Sequence, residues 1–174
     1  VADICRQHTS PHAVVEAVNF NDPMQTVIAG HQTGVEAAGA ALKAAGAKRV
    51  LPLPVSAPFH SSLMKPAAER LRERLSGVAI SKPKFAVVNN IDAVVLEEPD
   101  AIREALYRQA YGPVRWVDGM RALHALGATQ LIESGPGKVL TGMAKRILPD
   151  VPAFPVFDPA SLSQAHNAIQ EAKA

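Results

Sequence analysis

Val14-Val15-Glu16-Ala17-Val18-Asn19, Phe20-Asn21-Asp22-Pro23 and Thr26-Val27-Ile28-Ala29-Gly30 decide how the first third of the chain folds. The first string reads as a strand. The second is a turn, because Asn and Asp bond their own backbone and Pro presets φ. The third is another strand, close enough to pair with the first as a hairpin. Working outward, residues 1–8 look like a helix tail with Ile4 and Cys5 on its apolar face. Residues 33–45 place Val35, Ala38, Ala41, Leu42 and Ala45 at helical spacing, and Gly46 stops them. Arg49-Val50-Leu51-Pro52-Leu53-Pro54-Val55 is extended, since its prolines forbid helix and suit a sheet edge. The order α-β-β-α-β is a split βαβ unit without its first strand.

Beyond residue 55 strand and helix alternate, which predicts a largely parallel sheet. Residues 63–75 read as a helix with Leu63, Ala67, Leu71 and Leu75 inward and Ser61 or Ser62 as its cap. Phe85-Ala86-Val87-Val88 reads as a short buried strand ending at Asn89-Asn90. Asp100 is expected to cap a helix carrying Ile102, Ala105, Leu106 and Ala110. Pro113 is expected to start another, with Trp116, Val117, Met120 and Leu123 inward and Gly127 at its end. Gln130-Leu131-Ile132-Glu133 is a strand. Ser134-Gly135-Pro136-Gly137 then leads into a helix with Val139, Leu140, Met143 and Ile147 inward, and Phe154-Pro155-Val156 reads as a last strand.

Composition narrows the function. At 174 residues the chain is about one domain with a small appendage, and long enough to bury a core without staples. One Cys excludes an internal disulfide framework and a Cys-rich zinc module. A net charge of +2 and 5% aromatic residues argue against nucleic acid. No apolar run reaches membrane-spanning length and no signal peptide shows, so a cytoplasmic protein with no membrane partner is expected. The chain starts at Val1 without Met and runs straight into helical pattern, as though something upstream were missing.

Among six histidines, His60 stands out. It follows the Pro-punctuated segment and precedes the Ser61-Ser62 helix start, at the edge where ligands bind in α/β sheets. It reads equally as a general base or as a histidine packed at a helix start. His8, His12 and His166 read as solvated, and His124 as a cation near a helix C-terminus. No nucleophile accompanies His60. Gly30-His31-Gln32-Thr33-Gly34 has the spacing of a nucleophile elbow but carries an amide at its centre. Cys5 reads as a small buried hydrophobe. Gly135-Pro136-Gly137-Lys138 fails the phosphate-loop pattern, with Ile132 and Val139 where Gly and a hydroxyl are needed, and reads as a tight turn. No cluster has metal-ligand spacing. Asn19/Asn21 and Asn89/Asn90 either bond a polar ligand or satisfy turn backbone, and Lys48-Arg49 is a lone basic pair.

Several strings, taken in order, resemble the malonyl-CoA:acyl carrier protein transacylases. They are Val18-Asn19-Phe20-Asn21, Val27-Ile28-Ala29-Gly30-His31, Ala45-Gly46-Ala47-Lys48-Arg49, and Pro52-Leu53-Pro54-Val55-Ser56 leading to His60. Met64-Lys65-Pro66-Ala67-Ala68, Val88-Asn89-Asn90, Arg108-Gln109-Ala110-Tyr111, Pro113-Val114-Arg115-Trp116 and Gly135-Pro136-Gly137-Lys138-Val139-Leu140 continue the match to about residue 148. The resemblance implies an α/β fold in two parts. Residues 1–55 would be an incomplete ferredoxin-like subdomain, and residues 56–174 the C-terminal part of an α/β-hydrolase-like parallel-sheet core. The nucleophilic Ser, the oxyanion hole and the Arg that pairs with the malonyl carboxylate would lie in an N-terminal half absent from this chain.

The same resemblance implies a ping-pong transfer of malonyl from malonyl-CoA to the thiol of acyl carrier protein, for fatty acid biosynthesis, without a cofactor. His60 matches the catalytic histidine, and Gln109 the residue whose backbone carbonyl holds the other imidazole nitrogen. Asn19, Asn21, Lys48 and Arg49 match positions of the CoA groove, where the two cations would pair with phosphates. Phe59 resembles the ring that selects malonyl over methylmalonyl, an effect of about 1–3 kcal/mol. A polyketide synthase-type acyltransferase, a malonate decarboxylase subunit and a non-catalytic fragment that binds CoA or carrier protein are the alternatives. Without its Ser the 174-residue chain is expected to be inactive alone, its partners being malonyl-CoA, acyl carrier protein and the missing half.

Overall fold

Two small sheets carry the strands of the computed structural model, which describes residues 1–172. The end of the expected 56–174 unit, residues 173 and 174, lies outside that range. Helix α1 (Ala2–His8) leads into strands β1 (Val15–Asp22) and β2 (Gln25–Gly30), which pair antiparallel from Val15↔Gly30 to Asp22↔Gln25. The hairpin is as expected, but β1 runs through the Phe20-Asn21-Asp22 stretch read as a turn. A third segment explains this. Phe20 N–H donates to Val114 O at 2.9 Å and Val114 N–H to Val18 O at 2.8 Å, so β1 is held on both edges. The reversal shrinks to Pro23-Met24, where Asp22 Oδ1 accepts from Met24 N–H at 2.8 Å.

Helix α2 (Gln32–Ala44) ends before Gly46, whose φ of +98° is the left-handed conformation a glycine adopts most cheaply. Cys5, Val15 and Ala38 form a buried cluster joined by Ala17, Ile28 and Val35. Each fully buried aliphatic side chain of this kind contributes about 1.5–3 kcal/mol. The segment after α2 pairs with no strand among the described residues, and Leu51 is 71% exposed. Its edge-strand reading is corrected: Pro52 and Pro54 remove the donors a ladder needs.

A short 3-10 turn (Ser62–Met64) precedes α3 (Lys65–Ser76). Neither Ser61 nor Ser62 caps it by side chain, because Ser61 Oγ donates back to Pro58 O at 2.6 Å. The residue α3 buries is Ala68, and Leu71 faces water. Phe85-Val88 is not a buried strand either. Phe85 is 77% exposed, and only Val88 bridges, to Val95.

Helix α4 (Pro99–Gln109) begins two residues earlier than expected, with Glu98 at the N-cap position and Pro99 opening the first turn, so Asp100 caps nothing. Helix α5 (Trp116–Ala125) starts after Pro113, since Val114 is committed to β1; it ends before Gly127 at φ +96°, as expected. Strand β3 (Leu131–Ser134), α6 (Val139–Ile147) and β4 (Ala153–Val156) follow, with β3 and β4 parallel. Apart from the single parallel bridge between Asn19 and Val114, this pair is the parallel pairing among the described residues, in place of a large sheet. Helix α6 turns Thr141, Ala144 and Ile147 inward and leaves Val139 and Leu140 exposed. Met120, Ala144, Ile147 and Ala153 form the second cluster, with Trp116, Val117, Leu123 and Leu131 packed on it.

A last helix, α7 (Pro159–Glu171), had no counterpart in the sequence reading. Asp158 caps it reciprocally with Ser161, whose N–H donates to Asp158 Oδ1 at 2.7 Å. The usual capping-box signature has Glu or Gln at the third position, and Ser stands there instead.

Candidate active site

His60 sits at the tip of a tight loop and adopts φ +64°, the left-handed region that costs a non-glycine residue about 1 kcal/mol or more. Three hydrogen bonds hold that conformation. Phe59 N–H donates to Ala57 O at 2.9 Å, and Ser61 donates to Pro58 O through both its N–H and its hydroxyl. Ser61 is fully buried, so its hydroxyl is structural. One residue on, Ser62 N–H donates to Glu16 Oε2 of β1 at 2.7 Å.

The ring of His60 is half-buried, with Nδ1 3.0 Å from the backbone oxygen of Gln109. A carbonyl only accepts, so Nδ1 carries the proton and a neutral ring keeps its lone pair on Nε2. Gln109 is the last residue of α4, and its carbonyl is among those left without an intrahelical donor. The partial negative charge at that helix end favours the donor orientation of Nδ1. No acidic side chain is needed to orient the ring.

Behind Gln109 stands a two-pronged ion pair. Arg108 Nη1 and Nη2 donate to Asp92 Oδ1 and Oδ2 at 2.9 and 2.5 Å. The hydrogen bond from this guanidinium holds the Asp92 carboxyl below the usual carboxylate range. Asp92 lies in a turn built by Asn89, whose Oδ1 accepts from Asp92 N–H at 2.7 Å and whose Nδ2 donates to Val94 O at 2.8 Å. Asn89 therefore satisfies turn backbone. Across α4, Tyr107 donates to Glu69 of α3, and this bond raises the phenol pKa to about 12.

The other sequence candidates divide. Phe59 adjoins His60 and is half-exposed. Asn19 and Asn21 are half-buried on β1, which reaches the His60 loop through Glu16. Lys48 and Arg49 stand exposed after α2, with no hydrogen bond to that loop among the described residues. His31 Nδ1 accepts from Val14 N–H at 3.0 Å, which makes it a structural pin. His8 is half-buried, its Nδ1 2.9 Å from Ile4 O, rather than solvated as expected. His12 and His166 are exposed. Cys5 is buried, and burial pushes its thiol pKa up, which suits an inert residue.

The turn before α6 is filled from within. Glu133 accepts from Leu140 N–H at 3.0 Å, Thr141 N–H at 2.7 Å and Thr141 Oγ1 at 2.6 Å. Its carboxylate occupies the place an anion would take at this helix N-terminus. Burial raises the Glu133 pKa, but the bonds from Thr141 and its neighbours outweigh burial and the net shift is downward.

Sequence reasoning gave no role to Glu16, Asp92 or Arg108. They lie 46 and 16 residues from their partners, outside any local spacing rule.

No family model matches the chain. Among curated proteins it is 50% identical over 165 residues to the malonyl CoA-acyl carrier protein transacylase of Salmonella typhimurium, covering 95% of this chain and 53% of that one. The Bacillus subtilis protein of the same name is 43% identical over 158 residues. Among solved structures, the acyl-carrier-protein S-malonyltransferase of Burkholderia pseudomallei superposes with a TM-score of 0.91 at 55% identity, over 94% of this chain and 53% of that one. A malonyl-transacylase solved in complex with its type II PKS acyl-carrier protein superposes at 0.90 with 49% identity, with the same coverage. The chain spans about half the length of the relatives it matches. It is a homologue of the malonyl CoA-acyl carrier protein transacylases, corresponding to the C-terminal half of those enzymes.

Proposed function

We propose that the protein carrying this chain transfers the malonyl group of malonyl-CoA to the phosphopantetheine thiol of acyl carrier protein, with His60 as general base. The observation that carries this reading is the strained His60, its Nδ1 3.0 Å from Gln109 O and Nε2 left to accept a proton. A serine supplied outside these residues would attack the thioester carbonyl. His60 Nε2 takes the serine proton, and the tetrahedral oxyanion collapses by breaking the C–S bond. The imidazolium returns its proton to the CoA thiolate, and the carrier-protein thiol then repeats these steps in reverse on the malonyl-serine. The Gln109 carbonyl keeps the proton on Nδ1 throughout, in the neutral ring and in the imidazolium.

Lys48 and Arg49 pair with CoA phosphates, Asn19 and Asn21 bond its polar groups, and Phe59 narrows the space beside the acyl α-carbon. Residues 1–55, packed about Cys5, Val15 and Ala38, belong to a ferredoxin-like subdomain. Residues 56–174, whose described part packs about Met120 and Ile147, belong to an α/β-hydrolase-like core. The exposed Leu51, Leu53, Phe85 and Val87 then await the rest of that core.

The test is His60→Ala in the complete protein, which should lower malonyl transfer by orders of magnitude; unchanged turnover sinks the assignment. Intact mass after incubating the isolated 174-residue chain with malonyl-CoA should reveal no malonyl adduct. An adduct would place the nucleophile within these residues.

A further inference from the structure

We propose that the Asp92–Arg108 ion pair is the positioning unit of the His60 imidazole, acting through the Gln109 carbonyl. The inference rests on reading His60 as the general base. Arg108 immediately precedes Gln109, so fixing its side chain restrains the backbone one peptide ahead of the Gln109–Ala110 peptide that carries the acceptor oxygen. That peptide needs fixing. Helix α4 passes through Ala110 in helical conformation, with no left-handed glycine cap, and its last held contacts are Ala110 N–H to Tyr107 O at 3.3 Å and Tyr111 N–H to Arg108 O at 3.2 Å. Both are long for backbone hydrogen bonds, as expected of a terminus prone to fray. A two-pronged guanidinium–carboxylate pair fixes orientation as well as distance, which a single charge cannot do.

Asp92 is itself anchored, and its anchors lead back to His60. Its N–H is held by Asn89, and its carbonyl accepts from Arg115 Nη1 at 3.3 Å. Arg115 N–H donates to Asn90 O at 2.9 Å, and the adjoining Val114 is bonded to Val18 and Phe20 of β1. The same strand presents Glu16 to Ser62, two residues beyond His60. The bonds form a closed circuit: His60 to Gln109, Arg108 to Asp92, Arg115 to Asn90, Val114 to β1, and Glu16 back to Ser62. The Asp92–Arg108 link is the one in the circuit made by two charged side chains. Misplacing a base by about 1 Å can cost 100-fold in rate, so slack in this link reaches turnover without touching substrate.

The experiment uses the complete protein with Asp92→Asn, Arg108→Lys and His60→Ala, each confirmed as folded by circular dichroism. Asp92→Asn and Arg108→Lys are expected to lower kcat for malonyl transfer about 10- to 100-fold, with KM for malonyl-CoA within twofold of the parent. Nitrogen-15 spectra of the His60 ring should change from one tautomer, protonated on Nδ1, to a mixture. Folded variants that keep both kcat and the single tautomer overturn the proposal. If Asp92→Asn does not fold, Arg108→Lys decides alone, because it keeps the charge and loses the fork. Should His60→Ala retain turnover, the general-base reading fails, and the tautomer spectra still decide whether the pair positions the ring.

Discussion

Glu16 and Ser62, 46 residues apart, are joined by a hydrogen bond of 2.7 Å from the Ser62 N–H to the Glu16 carboxylate. Ser62 opens a 3-10 turn, whose first N–H groups have no partner within the turn. A strand of one sheet thus caps a turn that no side chain of its own caps. Glu16→Gln keeps an acceptor but removes the charge, and should cost about 1 kcal/mol in urea unfolding. A midpoint unchanged from the parent would show that the carboxylate charge adds no stability to the bond.

The Asp92–Arg108 pair makes stability depend on acid. The Asp92 pKa is lower in the folded protein than its ordinary value of about 3.9. Its contribution is therefore complete above about pH 4 and is lost as pH falls through the depressed folded value. Thermal melts of the parent and Asp92→Asn should converge on descending through that window. A constant gap between them would contradict the assignment.

Glu133 is the cap of α6 from outside the helix, accepting two of its first N–H groups and the Thr141 hydroxyl. Glu133→Ala leaves those donors unsatisfied, Thr141 among them buried, and should destabilise the protein by about 1–3 kcal/mol. Asp at this position, one methylene shorter, should recover little of the loss in chemical denaturation.

Gly30 has no room for a side chain: a Cβ there would lie against Val14 O and reach Val15 Cα at 2.8 Å. These are backbone atoms of the paired strand and cannot rotate away. Gly30→Ala is expected to cost about 3 kcal/mol, read from the urea midpoint. Gly46→Ala meets no atom within 4 Å and serves as a comparison in which only backbone conformation is penalised.

If Lys48 and Arg49 pair with CoA phosphates, Lys48→Ala and Arg49→Ala should each raise KM for malonyl-CoA about threefold to tenfold, and less in high salt. Lys138→Ala should leave KM unchanged, because the adjoining helix N-terminus is filled by Glu133. Equal effects at all three positions would remove the special standing of the first two.

Local signals served well where the chain satisfies itself locally. The hairpin, α2 with Gly46 and α5 with Gly127 were legible from periodicity and glycine placement. They failed where a distant segment supplies the partner. Val114 docking on β1 both extended the strand past Asn19 and delayed α5 beyond Pro113. Phe85-Val88 has strand composition but no pairing neighbour among the described residues. Ser61 has the residue type of a cap, yet its hydroxyl is committed to Pro58. At the site, the position of His60 between an extended segment and a helix was legible. Its contact with Gln109 followed from resemblance alone, since no spacing rule relates residues 49 apart. The ion pair behind it had no local signal at all.

If His60 is the general base proposed above, its left-handed backbone sets stability against chemistry at one position. Glycine there would relieve the strain and Asn would tolerate it, whereas Val or Ile would aggravate it. A library at residue 60 selected only for thermal resistance should therefore enrich Gly and Asn and discard the imidazole. On that reading the wild-type residue would survive only when transfer is selected too, and residue 60 would be where a stabilising consensus most readily erases the proposed activity.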